Sequence, residues 1–140
     1  MKFIKAEKQA EIFAVIYIRK IVFIDEQNVS IDEEYDMLDF EADHFLIQEN
    51  DDYIGTCRIF YNDKEATIGR VAVIRNHRNK GYAKFMMENA IEFIKKQDID
   101  KIHIGAQVQA LGFYEKLGFI VSGELYLDAN IEHYPMELLL

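Results

Sequence analysis

Arg70-Val-Ala-Val-Ile-Arg-Asn-His-Arg-Asn-Lys-Gly-Tyr-Ala83 decides how this chain is read. Val71 to Ile74 have the apolar, β-branched make-up of a short strand, and the basic turn after them opens a helix at about Lys80. Backbone N–H groups at a helix start have no partner within the helix, and the helix dipole there favours anions. Gly81 removes a side chain where a phosphate would approach, while Arg78, Lys80 and Lys84 add positive charge. The stretch therefore reads as a pyrophosphate cradle, although it has neither the spacing of a P-loop nor the G-x-G-x-x-G of a dinucleotide fingerprint. Taken alone, an ordinary basic strand–helix connection explains it as well.

Working outward, 140 residues of which half are hydrophobic predict one domain over 1–140 with a real core. The N-terminal Met1-Lys-Phe-Ile-Lys-Ala-Glu7 lacks the apolar region of a signal peptide. The most apolar run, Ile12 to Ile24, is broken by Arg19 and Lys20 and falls short of a membrane span. No membrane association is expected. Cys57 is the only cysteine, so no disulfide framework exists and a reducing cytoplasm is the expected compartment. A net charge of −9 argues against a nucleic-acid partner and suits a cationic small substrate. Much of the acid lies between Asp32 and Asp43, as either a solvated loop or a rim that attracts amines.

The hydrophobic pattern predicts β-α-β-β-β-α-β-α-β-β. Residues 2–5 form a strand, and Ala10, Phe13, Ala14, Tyr17, Ile18 and Ile21 form the buried stripe of a first helix, followed by a loop from about Asn28 to Phe40. His44–Gln48, Tyr53–Tyr61 and Thr67–Val73 form a meander joined by two polar turns. A helix from Lys80 to about Lys96 turns Ala83, Met87, Ala90 and Ile94 inward. Ile102–Gly105 is a strand, Val108–Leu117 a short helix stopped by Gly118, and Phe119–Leu127 with Ile131–Leu138 a final hairpin. The apolar first helix and this hairpin make a homodimer an expectation.

A second motif lies about thirty residues beyond the first. Arg78, Gly81 and Ala83 (R-x-x-G-x-A), followed by Phe113, Tyr114, Lys116, Gly118 and Phe119 (F-Y-x-K-x-G-F), resemble the GCN5-related N-acetyltransferases, the GNAT superfamily. Val22-Phe-Ile-Asp-Glu-Gln27, Asp43-His-Phe45, Gly55-Thr-Cys-Arg58 and His133-Tyr-Pro-Met136 are similar to its ElaA/YjcF-like branch. The resemblance covers essentially the whole chain. It implies an α+β acyl-CoA N-acyltransferase fold: a largely antiparallel sheet of about seven strands flanked by about four helices, splayed between strands 4 and 5. It further implies acetyl-CoA as co-substrate and a small-molecule amine as acceptor, joined in a ternary complex. The cofactor-binding positions it implies are Val71, Ala72, Val73, Arg78, Asn79, Lys80, Gly81, Tyr82, Ala83, Lys84, Gln107, Tyr114 and Lys116, with the Val73 amide polarising the thioester carbonyl. Gln107 stands where many members carry Asn, which puts its hydrogen bond to pantetheine in doubt. Gly112, inside a short helix, either admits the cofactor or relieves packing.

Acetyl transfer needs a neutral amine, a polarised carbonyl and a proton for the leaving thiolate. A lysine-like amine with a pKa near 10.4 is only about one part in a thousand neutral at physiological pH, so deprotonation alone costs roughly 4 kcal/mol. Tyr114 is the expected general acid, since a phenol stays protonated at neutral pH; its bland alternative is an aromatic packed at the sheet edge. Glu26 and His133 are the candidate bases, the first otherwise a solvated helix end and the second otherwise a packing residue. His44 is a weaker candidate for the same cleft. Arg58 and Arg70, charged residues within strands, are expected in structural salt bridges. Cys57 is expected to pack inside, and the scattered histidines give no metal-ligand spacing. Two rival readings remain: a peptide or protein N-terminal acetyltransferase, and an acyl-CoA-binding sensor without turnover.

Overall fold

The computed structural model describes all residues from Met1 to Leu140. Apolar residues alternate along the central strands, and that alternation builds a sheet with a core on each face. β1 (Lys2–Lys5), β2 (Asp43–Glu49), β3 (Asp52–Asn62) and β4 (Glu65–Val73) form an antiparallel meander. β5 (Lys101–Gln107), β8 (Ile131–Leu139) and β6 (Ile120–Val121) complete the sheet in the order β1-β2-β3-β4-β5-β8-β6, with β7 (Tyr126–Asp128) also on β8. Phe45 and Ile47 point to one face with Met86, Met87, Ala90 and Ile94 of α3 (Tyr82–Lys95). Leu46 points to the other, with Val15, Ile18 and Val22 of the first helical segment.

That first segment is α1 (Gln9–Arg19), which continues as a π-helix over Lys20–Glu26. Its buried stripe differs from the expected one. Val15, Ile18, Arg19 and Val22 are buried, whereas Phe13 and Tyr17 are 59% and 62% exposed. Apolar residues surround this helix on every side, so their spacing leaves its rotation undetermined. The helix turns Ile12, Val15, Ile18 and Val22 inward together with Arg19, whose guanidinium finds the buried Glu34 and the half-buried Asp39.

The acidic segment is a solvated loop only in part: Asp32, Glu33 and Glu41 are exposed, whereas Glu34, Asp36 and Asp39 are held by arginines. Ser30 caps α2 (Ile31–Glu34) by accepting the Glu33 amide, Glu34 is buried, and a 3-10 turn over Asp39–Glu41 follows. In place of one strand over Phe119–Leu127 there are two, β6 and β7, so the sheet has eight strands. The break falls opposite Pro135, which cannot donate to a ladder. A Cβ on Gly123 would come within 2.8 Å of the Pro135 ring, so the chain detours past it.

Two irregularities open the sheet at one place. Gly69 opposes Arg58 and Ala72 opposes Thr56, so β4 carries one extra residue between them, a bulge, with Arg70 at φ 51°. β4 then pairs with β5, in parallel, only from Glu65–Thr67 to Lys101–His103. Past Thr67 the two strands diverge, which produces the splay between strands 4 and 5.

Candidate active site

Gly81, at φ 85°, turns the chain into α3 two residues later than the expected helix start. The first helical hydrogen bond runs from Phe85 N to the Gly81 carbonyl. The six consecutive amides from Asn79 to Lys84 make no hydrogen bond within the protein. A run of convergent free N–H groups at the positive end of a 14-residue helix is an anion site by construction. A side chain at Gly81 would meet nothing within 4 Å, so this glycine serves backbone conformation and approach, not packing.

The splay beside this cradle holds a cleft of about 370 Å³. One wall is β4 from Thr67 to Val73, the other is Ile104, Gly105 and Gln107 of β5, and Val22, Phe23 and Gln27 of the π-helix and its end cover it. The Ile74 amide bonds the Ile54 carbonyl directly opposite, at 2.9 Å. Bonded and non-bonded pairs alternate in an antiparallel ladder, so Val73, opposite Gly55, turns its N–H away from β3 and into the splay.

Arg78 departs from the expected role. Its Nε donates to the Val73 carbonyl at 2.8 Å and its terminal nitrogens clasp Glu26 at 2.5 and 2.9 Å. Its own amide bonds Arg75 O at 3.1 Å. Arg78 therefore ties the π-helix to the end of β4, with three of its five N–H donors engaged within the protein. Glu26 is corrected with it: hydrogen bonds from Arg78, with Arg75 at 3.4 Å, hold its carboxyl below the usual range, which makes it a poor base. Gln107 is also engaged, donating to Gln27 at 3.1 Å and accepting from Gln109 at 2.6 Å.

Tyr114, in α4 (Leu111–Lys116), lines the cleft between Phe113 and Phe119, whose rings lie edge-on to it at 5.0 and 6.0 Å. Its hydroxyl has no partner in the protein, and burial pushes its pKa up, so it stays a protonated donor. Cys57 is fully packed, its thiol pushed up to about 12 by burial, which removes it as a nucleophile. His133 lines the same cleft, 9% exposed, with its ring stacked on Tyr126 at 5.5 Å. Its Nδ1 lies 2.7 Å from the Ile131 carbonyl, which can only accept. Nδ1 therefore carries a proton, and in the neutral ring Nε2 keeps a lone pair with no partner in the protein. A Cβ at residue 105 would collide with the Tyr126 hydroxyl, so Gly105 lets that ring lie over β5 at the cleft.

A family model for an acetyltransferase (GNAT) domain matches residues 20–140. The chain belongs to the GNAT acetyltransferases. It sits in the ElaA/YjcF-like branch: it is 30% identical over 137 residues to a Bacillus subtilis protein named as the uncharacterized N-acetyltransferase YjcF, covering 97% of this chain and 98% of that one. It is 30% identical to Escherichia coli ElaA over 132 residues, covering 91% and 86%. The ElaA crystal structure has a TM-score of 0.86 at 23% identity over 98% of both chains. An aminoglycoside 6'-N-acetyltransferase solved with coenzyme A has a TM-score of 0.80 at 12% identity, over 99% of this chain and 97% of that one. Both likenesses speak for the fold alone.

In this acetyltransferase the far end of the cleft rests on a charge network. Arg19 donates to Glu34 and Asp39, both at 2.7 Å; Arg58 clasps Asp36 at 2.6 and 3.0 Å and reaches Asp39 at 2.8 Å; Arg70 reaches Glu34 at 3.0 Å and Asp36 at 3.3 Å. Burial would raise Asp36, but the hydrogen bonds from Arg58 and the nearby guanidiniums hold it at about 2. Burial pushes Glu34 the other way, upward. The left-handed Arg70 costs about 1–3 kcal/mol, and its ion pairs hold it there.

Thus Val71, Ala72, Val73, Arg78, Gln107, Tyr114 and His133 of the expected set line the cleft, and Asn79–Lys84, which do not, follow Arg78 directly in the chain. Lys116 does not line it: it is exposed in the last turn of α4. His44 does not either, lying buried with Nε2 at 2.9 Å from the Asp39 carbonyl. Sequence reasoning missed Phe23 and Gln27, although the Val22–Gln27 motif contains both, and it missed Tyr126 and Asp128 on the final hairpin. A Cβ on Gly112 would meet nothing within 4 Å, which excludes relief of packing as its reason.

Proposed function

We propose that this protein moves an acetyl group from acetyl-CoA to the primary amine of a small molecule, with both bound together. The observation that carries the reading is the row of free amides from Asn79 to Lys84, continued by the outward N–H of Val73 along an open strand edge. The cradle fits a diphosphate, and the free β4 edge fits an extended amide-bearing arm that adds to a sheet. Acetyl-CoA would supply the activated thioester.

The residues then divide the work. The Val73 N–H donates to the thioester oxygen, where negative charge grows as the bond forms. Arg78 holds the next peptide through the Val73 carbonyl and so fixes the strand end. His133 Nε2, a lone pair with no partner in the protein, accepts a proton that the incoming ammonium must lose. The Tyr114 hydroxyl donates to the departing sulfur. With its pKa raised, full ionisation of this phenol is uphill, so its first service is a hydrogen bond to the sulfur as charge appears there. Atoms balance with one amide N–C bond formed and one C–S bond broken, the ammonium nitrogen losing two protons, one through His133 to solvent and one to the departing sulfur.

No helix is long and apolar enough to cross a membrane. A cytoplasmic location is supported by the single, unpaired Cys57. A homodimer is supported by the exposed Phe13, Ile16 and Tyr17 of α1 and by the apolar edge at Ile120 and Val121; size-exclusion chromatography with light scattering tests it. Thiol release from acetyl-CoA across a panel of amines tests the activity. Amine-dependent release is expected; tight cofactor binding with no release for any amine or peptide N-terminus would leave a sensor module instead.

A further inference from the structure

Resting on that reading, the charges around the acceptor end narrow the acceptor. Three arginines face the cleft, and each is already matched: Arg58 by Asp36 and Asp39, Arg70 by Glu34 and Asp36, Arg78 by Glu26. Asp128 also lines the cleft, and no cation pairs with it. A smaller recess of about 50 Å³ adjoins, sharing Phe23, Gln27, Arg70, Gln107, Asp128 and His133 with the main cleft and adding Glu33. Glu33 accepts from the Ser30 hydroxyl at 3.0 Å but has no cationic partner.

Neither Val73 nor Tyr114 borders this recess, so it lies away from the thioester edge, with His133 between the two hollows. The second, independent observation is His133, nine-tenths buried, lining both hollows, with a lone pair at Nε2 that nothing in the protein meets. Arg58 Nε has no partner but is sealed away from a ligand, and the groups left without an ion pair at this end are two carboxylates and an imidazole nitrogen that accepts. The guanidinium charges, which would greet an anion, are neutralised within the protein.

We infer that the acceptor carries two cationic groups: a reacting amine beside His133 and a distal ammonium or guanidinium held in the recess by Asp128 and Glu33. A carboxylate-bearing acceptor finds no free cation there. An uncharged amine of equal length lacks the ion pairs that would hold its far end.

The test compares an alkane-α,ω-diamine with the n-alkylamine of the same carbon count, read by calorimetry on the CoA-loaded protein and by acetyl-CoA turnover. The wild type is expected to prefer the diamine about tenfold or more in KM and Kd. Asp128→Asn should erase most of that preference by weakening the diamine more than the alkylamine, and Glu33→Gln should erase a smaller part. Equal binding of the two amines, or an equal loss for both in Asp128→Asn, would overturn the inference. Because the binding arm needs no turnover, an inactive protein that still favours the diamine would refute the catalytic reading and keep this one.

Discussion

The two ends of the cleft are made on opposite plans. The donor end is backbone: six amides aligned by one positive-φ glycine and one helix start, with side chains standing aside. The acceptor end is side chain: three arginines from α1, β3 and β4 hold three carboxylates from the 34–39 segment, and beyond them stand Asp128 and His133 from the final hairpin. The first plan tolerates substitution wherever the backbone path is kept. The second depends on each partner, because a buried charge left alone is costly.

That contrast can be broken most severely at the acceptor end. Replacing Arg58 with Met leaves Asp36 and Asp39 short of a counter-ion, and a loss of about 3–5 kcal/mol is expected in chemical denaturation. A loss under about 1 kcal/mol would mean that solvent, not Arg58, satisfies those carboxylates. Next in size is Tyr114→Phe. About a hundredfold lower kcat is expected with cofactor affinity retained; unchanged kcat would remove the hydroxyl from the chemistry.

Asp36 sharpens the comparison through pH. Its folded pKa of about 2 lies below the ordinary 3.8, so its contribution is complete above pH 3.8 and fades as pH falls toward 2. The shift corresponds to about 2 kcal/mol, and Asp36→Asn should flatten the stability profile in that window. Glu34 carries the opposite sign, since burial raises its pKa, so its contribution weakens as pH rises through its folded value. A profile that falls as pH rises above 4.5 would show that Glu34 dominates the network. The smallest effect falls at the donor end. Gly81→Ala should cost about 1 kcal/mol of stability through the positive φ and weaken acetyl-CoA binding several-fold more than any Arg78 side-chain change that keeps Glu26 in place.

The same contrast explains what could be read in the chain. The donor end is local: strand, turn, Gly81 and helix follow one another, so a pattern of adjacent residues carries their physics. The splay is implied only by the family resemblance that the second motif carries, and Tyr114 stands within that motif. The acceptor end is assembled across 15 to 36 residues of sequence, as in Arg19 with Glu34 or Arg70 with Glu34, and no local spacing encodes such pairs. Two apolar stripes run along α1, and the one it buries is the one that also carries Arg19 to Glu34, a contact no local pattern encodes. Arg78 shows the limit of a motif: its place was legible, but Glu26, fifty-two residues earlier, decides what its guanidinium does.

The central claim is that the free amides of Asn79–Lys84 and Val73 receive the cofactor. Titrating acetyl-CoA into nitrogen-15-labelled protein and following the backbone amides tests it directly. The largest shifts are expected at those seven N–H groups, saturating together with a single affinity. Binding that leaves them unmoved while amides elsewhere respond would contradict the account.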